Sequence, residues 1–225
     1  MALHIYKQNT PRIRGVLFDM DGLVLDTEKL FCRFWMEAAK HFGFPMTMDQ
    51  ALGMRALDHR LGVQQIHSYF GSAADYTAIR SKRIELMEAY IDACGIELKP
   101  GIRELLAHLE ARGIPAAITS SSPVERIQKY LAFHGLDSRF AALCSGRQVP
   151  HGKPAPDIYI YGAECLGLRP EECLALEDAP SGLLAACRAG CVTVMVPDLD
   201  QPDEATQRLL HAKADTLLDV INLIE

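Results

Sequence analysis

Five short runs of apolar and β-branched residues, at 16–19, 115–119, 141–144, 173–177 and 192–196, limit this chain more than any other feature. None alternates polar with apolar, so each reads as a strand buried on both faces, the pattern of a parallel sheet. Helical periodicity fills most of the intervals. Ile102, Leu105, Leu106 and Leu109 recur at helix spacing and stop at Gly113. Val124, Ile127, Tyr130 and Leu131 stop at Gly135, and Leu183, Leu184, Ala186 and Ala189 stop at Gly190. Ser122-Pro123-Val124-Glu125 has the form of a capping box with proline at the first helical position. Strands and helices alternating at this length specify an α/β fold with a doubly wound, Rossmann-like parallel sheet.

Residues 27–98 break the alternation. They hold no strand pattern, whereas Leu30, Phe31, Phe34, Trp35, Ala38 and Phe42 recur at 3.6-residue spacing, and Ile84, Met87, Tyr90 and Ile91 form a later stripe. We read a small all-helical domain, 27–98, inserted into a core made of 1–26 and 99–225. A chain of 225 residues is long enough for both. The tail from 203 reads as a helix followed by a short strand near 214–217.

Charge and cysteine usage narrow the partners. The net charge is -6 with no run of Lys or Arg, so neither nucleic acid nor a membrane surface is an expected partner; only a small local basic site fits. No apolar stretch reaches the roughly 18 residues of a membrane-spanning helix. The first fourteen residues lack the apolar core and cleavage site of a secretion signal. The seven cysteines include no C-x-x-C pair and are odd in number, as in a reduced protein. We expect a cytoplasmic monomer.

In open α/β sheets ligands bind beyond the carboxyl ends of the strands. Asp19 and Asp21 follow the first strand, Thr119, Ser120 and Ser121 the second, Lys153 the third, and Glu177 and Asp178 the fourth. Singly, each is ordinary: a solvated acid pair, a helix-capping hydroxyl, a surface lysine, acids at a helix start. Together they place carboxylates, hydroxyls and one cation in a single crevice. Carboxylates gathered that closely raise one another's pKa unless a cation joins them. Mg²⁺ suits an all-oxygen set, and Lys153 suits an anion beside the metal. A phosphoryl group satisfies both demands. The carboxylate of Asp19 is then placed to attack phosphorus, and Asp21 to exchange protons with the leaving oxygen and water. One carboxyl cannot be nucleophile and proton donor at the same bond, which accounts for a pair spaced by two with Gly22 behind it for the turn.

These residues closely resemble the haloacid dehalogenase superfamily, in its phosphatase and phosphomutase branch with a helical cap after the first strand. The resemblance rests on Asp19-Met20-Asp21-Gly22-Leu23-Val24-Leu25-Asp26-Thr27, on Thr119 after an apolar strand, on Gly152-Lys153-Pro154-Ala155-Pro156-Asp157, and on Glu177-Asp178-Ala179-Pro180-Ser181-Gly182, in that order. It implies Asp19 as nucleophile and Asp21 as acid and base. It implies Mg²⁺ held by the Asp19 carboxylate, the Asp21 backbone carbonyl and Asp178, with Glu177 behind those ligands or replacing one. Thr119, with Ser120 beside it, and Lys153 would grip the phosphoryl oxygens of a small phosphate ester. Arg55, in Gly53-Met54-Arg55, is the cap residue matched to leaving-group recognition. Compared with β-phosphoglucomutases, this chain has Phe31 where they carry a cap histidine and Ser122-Pro123 where they carry Lys-Asn. Those departures favour a sugar phosphatase over a mutase. A phosphoacceptor signalling domain, the other class with such a constellation, needs no helical insertion, and a non-catalytic phospho-ligand binder needs no paired Asp19 and Asp21.

Overall fold

The computed structural model describes residues 3–7, 11–55, 57 and 59–224. It divides into two compact units, Met1–Asp26 with Glu97–Glu225, and Thr27–Ile96.

Among the described residues of the first unit, seven strands form one sheet: β1 (Leu3–Ile5), β2 (Gly15–Phe18), β3 (Ala116–Ser120), β4 (Ala142–Ser145), β5 (Cys173–Glu177), β6 (Val192–Met195) and β7 (Ala212–Ala214), in the order β1-β7-β6-β5-β2-β3-β4. All pairings are parallel except β1 with β7. Every residue of β2, β3, β5 and β6 is buried, which is why their sequences are mainly apolar, with Thr119, Ser120 and Glu177 only at the carboxyl ends and Thr193 inside β6. β2 lies between β3 and β5, so crossovers leave it in one direction and return on the other side. A crevice therefore opens beyond the carboxyl ends of β2 and β5. The helices of this unit are α5 (Ile102–Ala111), α6 (Val124–Ala132), α7 (Asp157–Cys165), α8 (Pro180–Ala189), α9 (Glu204–Gln207) and α10 (Leu217–Val220).

Two local readings require correction. β7 ends at Ala214, and Leu217 instead starts α10, because Thr216 and Asp219 close a reciprocal capping box. The antiparallel edge strand β1 has no counterpart in the sequence reading. It is three residues long with two exposed, so it carries no burial pattern to recognise.

The second unit contains α1 (Glu28–His41), α2 (Met48–Leu52), α3 (His59–Phe70) and α4 (Tyr76–Cys94). α1 buries Phe34, Trp35 and Ala38 but leaves Phe42 exposed beyond its end. On α4 the buried stripe is Ile79, Arg83, Met87 and Ile91. The buried place beside Met87 thus belongs to Arg83 rather than to Ile84. The Arg83 guanidinium lies 4.8 Å from the Phe31 ring centroid and 5.3 Å from that of Trp35, so aromatic faces accept its charge. No helix among the described residues is long and apolar enough to cross a membrane.

Candidate active site

Asp19 sits one residue past β2, and its amide still bonds to the Leu176 carbonyl of β5 at 3.0 Å. The ladder therefore fixes its carboxylate before the chain leaves the sheet. Gly22 then adopts φ 79°, a left-handed conformation other residues rarely take, and its amide bonds to Leu25 O at 2.9 Å. At the neighbouring strand end, the Glu177 carbonyl accepts from Val196 N at 2.8 Å, and α8 begins two residues after Asp178.

The four strand-end groups meet as follows. Lys153 Nζ donates to Asp19 Oδ1 at 2.5 Å and to Glu177 Oε1 at 2.6 Å. The buried Tyr159 hydroxyl donates to the same Glu177 oxygen. Asp19, Glu177 and Asp178, all buried, bring carboxylate oxygens within 4.8 Å of one another. Burial alone disfavours the Lys153 charge, but Asp19 and Glu177 outweigh it and hold the ammonium well above the usual lysine range. Burial pushes the Glu177 carboxyl up to about 7, with Lys153 pulling against it. Burial, followed by the charge of Glu177, likewise keeps the Tyr159 phenol protonated. Gly182 on α8 packs directly against this carboxylate; a Cβ there would overlap Glu177 Oε1.

Asp21 turns its carboxylate to Ser122, whose hydroxyl donates to Oδ2 at 3.3 Å. This corrects the capping box read at Ser122. The residue capping α6 is Pro123, with no side-chain cap bond, because the Ser122 hydroxyl has a tertiary partner in Asp21. The Ser122 backbone is held in turn: its amide donates to Ser120 Oγ at 3.1 Å, and its carbonyl accepts from Ser145 Oγ at 2.7 Å. Thr119, fully buried, donates its hydroxyl to the Phe18 carbonyl at 3.2 Å and so ties β3 to the strand that carries Asp19. Arg55 lies in the second unit, where its Nε pairs with Glu28 Oε2 at 2.6 Å. Ser122 and Tyr159 escaped the sequence reading. The first carried a helix-cap signal, and the second sits in an apolar helix where only the fold reveals its direction.

Three carboxylates facing one ammonium leave a surplus of negative charge in a buried crevice. The donors are all oxygens, which fits a hard divalent cation and not a thiolate- or imidazole-loving metal. Among the described residues no other such trio occurs.

Comparison with known proteins identifies the family and the fold. The sequence pattern of the haloacid dehalogenase-like hydrolases matches residues 16–196. Hexitol phosphatase A of Escherichia coli (strain K12) is 37% identical over 191 residues, covering 82% of this chain and 83% of that protein. Beta-phosphoglucomutase of Bacillus subtilis (strain 168) is 27% identical over 218 residues, covering 93% and 94%. The crystal structure of CbbY from Rhodobacter sphaeroides in complex with phosphate superposes with a TM-score of 0.75 at 23% identity, covering 92% of this chain and 96% of that one, and shares the fold.

Proposed function

The chain belongs to the haloacid dehalogenase-like hydrolases, and on that premise we propose that it is a Mg²⁺-dependent phosphatase of a small phosphomonoester, of the sugar phosphate type. The observation that carries this reading is the buried trio Asp19, Glu177 and Asp178 closed by Lys153.

Asp19 and Asp178, with the backbone carbonyl of Asp21, would hold the metal. Bound Mg²⁺ supplies neutralising charge for the carboxylates and for the phosphoryl oxygens. Asp19 attacks phosphorus through its carboxylate, forming an aspartyl-phosphate as the ester bond breaks. Asp21 gives its proton to the leaving oxygen and afterwards takes one from the attacking water. Ser122 holds the Asp21 carboxylate in place for both transfers. Lys153 offsets the charge on the phosphoryl oxygens, and Thr119 with Ser120 lines the same strand end. Glu177 orients Lys153 rather than reacting; its oxygen already takes two donors. The Thr27–Ile96 unit acts as the cap that reads the leaving group, with Arg55 as the recognising residue.

A phosphate-release screen over sugar phosphates and other monoesters, with Mg²⁺ and with chelator, tests the reading. Turnover should require metal and vanish in Asp19→Asn. Undiminished activity of that variant removes the covalent step. Label moving between two positions of one sugar with little free phosphate would replace the phosphatase reading with a mutase.

A further inference from the structure

A cleft of about 590 Å³ opens at the amino ends of β2 and β3, on the edge of the sheet opposite Asp19. That volume lies within the roughly 300–1,000 Å³ of small-molecule sites. Arg12, Arg14 and Arg112 line it, and no acidic residue does. Arg12 and Arg14 flank the buried Ile13 on the approach to β2. Arg14 N bonds Glu172 O at 2.8 Å and Val16 N bonds Pro115 O at 3.0 Å, so this approach continues the sheet pairing, and alternate side chains share a side.

The three cations are not equally engaged. Glu172 pairs with Arg14 at 2.6 Å and with Arg169 at 3.2 Å. Among the described residues neither Arg12 nor Arg112 has a carboxylate partner; Arg112 Nη1 lies 3.3 Å from His108 Nδ1. The floor is apolar, formed by Ile114, Pro115, Leu166 and Leu168. Leu168 Cδ1 lies 2.5 Å from where a Cβ on Gly15 would stand, so the floor is pressed onto the first residue of β2. Isolated surface arginines are unremarkable, and Arg112 near the end of α5 also complements the helix dipole. A convergence of arginines over an apolar floor, in a chain of net charge -6, is a different object. The guanidinium fork matches phosphate and carboxylate geometry, and the floor offers contact to a carbon body.

We propose that this cleft is a second anion site, remote from the carboxylate cluster, that binds a small phosphorylated metabolite with its phosphoryl group between Arg12 and Arg112 and its carbon body on Ile114, Pro115 and Leu168. The probe is phenylphosphonate, whose P–C bond resists hydrolysis, titrated into the whole protein in chelator and followed by amide chemical shifts. Saturable shifts at Gly113 and Gly167 are expected. They should weaken about tenfold or more in Arg12→Gln/Arg112→Gln, the loss of two charge-assisted contacts. Both arginines are exposed, so the variant should fold as the parent does, which its unfolding midpoint checks. Shifts confined to residues around Asp19 and Lys153, shifts that grow linearly without saturating, or equal binding by the double variant each overturn the proposal.

Discussion

Gly182→Ala sets two effects of opposite sign against each other. Gly182 lies in the first turn of α8, where alanine is favoured over glycine by at most about 1 kcal/mol. The added Cβ would overlap the buried carboxylate of Glu177. To make room it must release Lys153 and Tyr159, both bonded to its Oε1. Hydrogen bonds to charged groups are worth roughly 1.5–3 kcal/mol each, so losing two costs about 3–6 kcal/mol. The clash wins, and the net destabilisation is about 2–5 kcal/mol. For a chain of this size that lowers Tm by at least about 4 °C. Urea and thermal unfolding in chelator give the magnitude. Glu177→Ala restores the space, so adding Gly182→Ala to it should cost almost nothing, and the two changes should couple strongly in a double-mutant cycle. A Gly182→Ala protein as stable as the parent, or more stable, would refute the argument that a pinned carboxylate dictates the glycine.

Arg55→Ala should lower kcat/KM for a good sugar phosphate about tenfold more than for para-nitrophenyl phosphate, since a charged contact to the leaving group is lost only with the former. An unchanged ratio, with lower stability alone, would leave Arg55 as the partner of Glu28 and nothing more. His211 supplies a pH test: burial, then the charge of Lys7, hold its pKa below the usual histidine value, and its Nδ1 accepts from Thr193 N at 3.1 Å. The unfolded chain therefore takes the proton first, so this stability is complete above the ordinary value near 6.5 and lost as pH falls through the lower folded value. Urea midpoints measured from pH 7.5 to 5 should fall more steeply for the parent than for His211→Asn; parallel slopes would count against it.

The central strands were legible because burial on both faces leaves an apolar run, as in Gly15–Phe18 and in Cys173–Glu177 up to its terminal acid. The carboxylate cluster was legible for a related reason: the strand ends of such a sheet converge, so the order of Asp19, Lys153, Glu177 and Asp178 along the sequence already groups them. What stayed hidden depends on direction. Ser122 and Glu125 spell a capping box, yet the hydroxyl bonds Asp21, a partner 101 positions away. Tyr159 looks like one more apolar helix residue until α7 aims it at Glu177. Arg83 displaces Ile84 from the buried stripe because Phe31 and Trp35 accept a cation, which no hydrophobic periodicity encodes.

The sheet order also governs assembly as the ribosome releases the chain. Val16 on the central strand must wait for Ala116 on one flank and Leu174 on the other, whereas the helices of Thr27–Ile96 are neighbours along the chain. Contacts between distant positions form late and slowly, local ones early. The inserted helices can therefore pack while Asp19 still hangs on an unpaired strand, and the apolar Gly15–Phe18 segment stays open until β5 has been made.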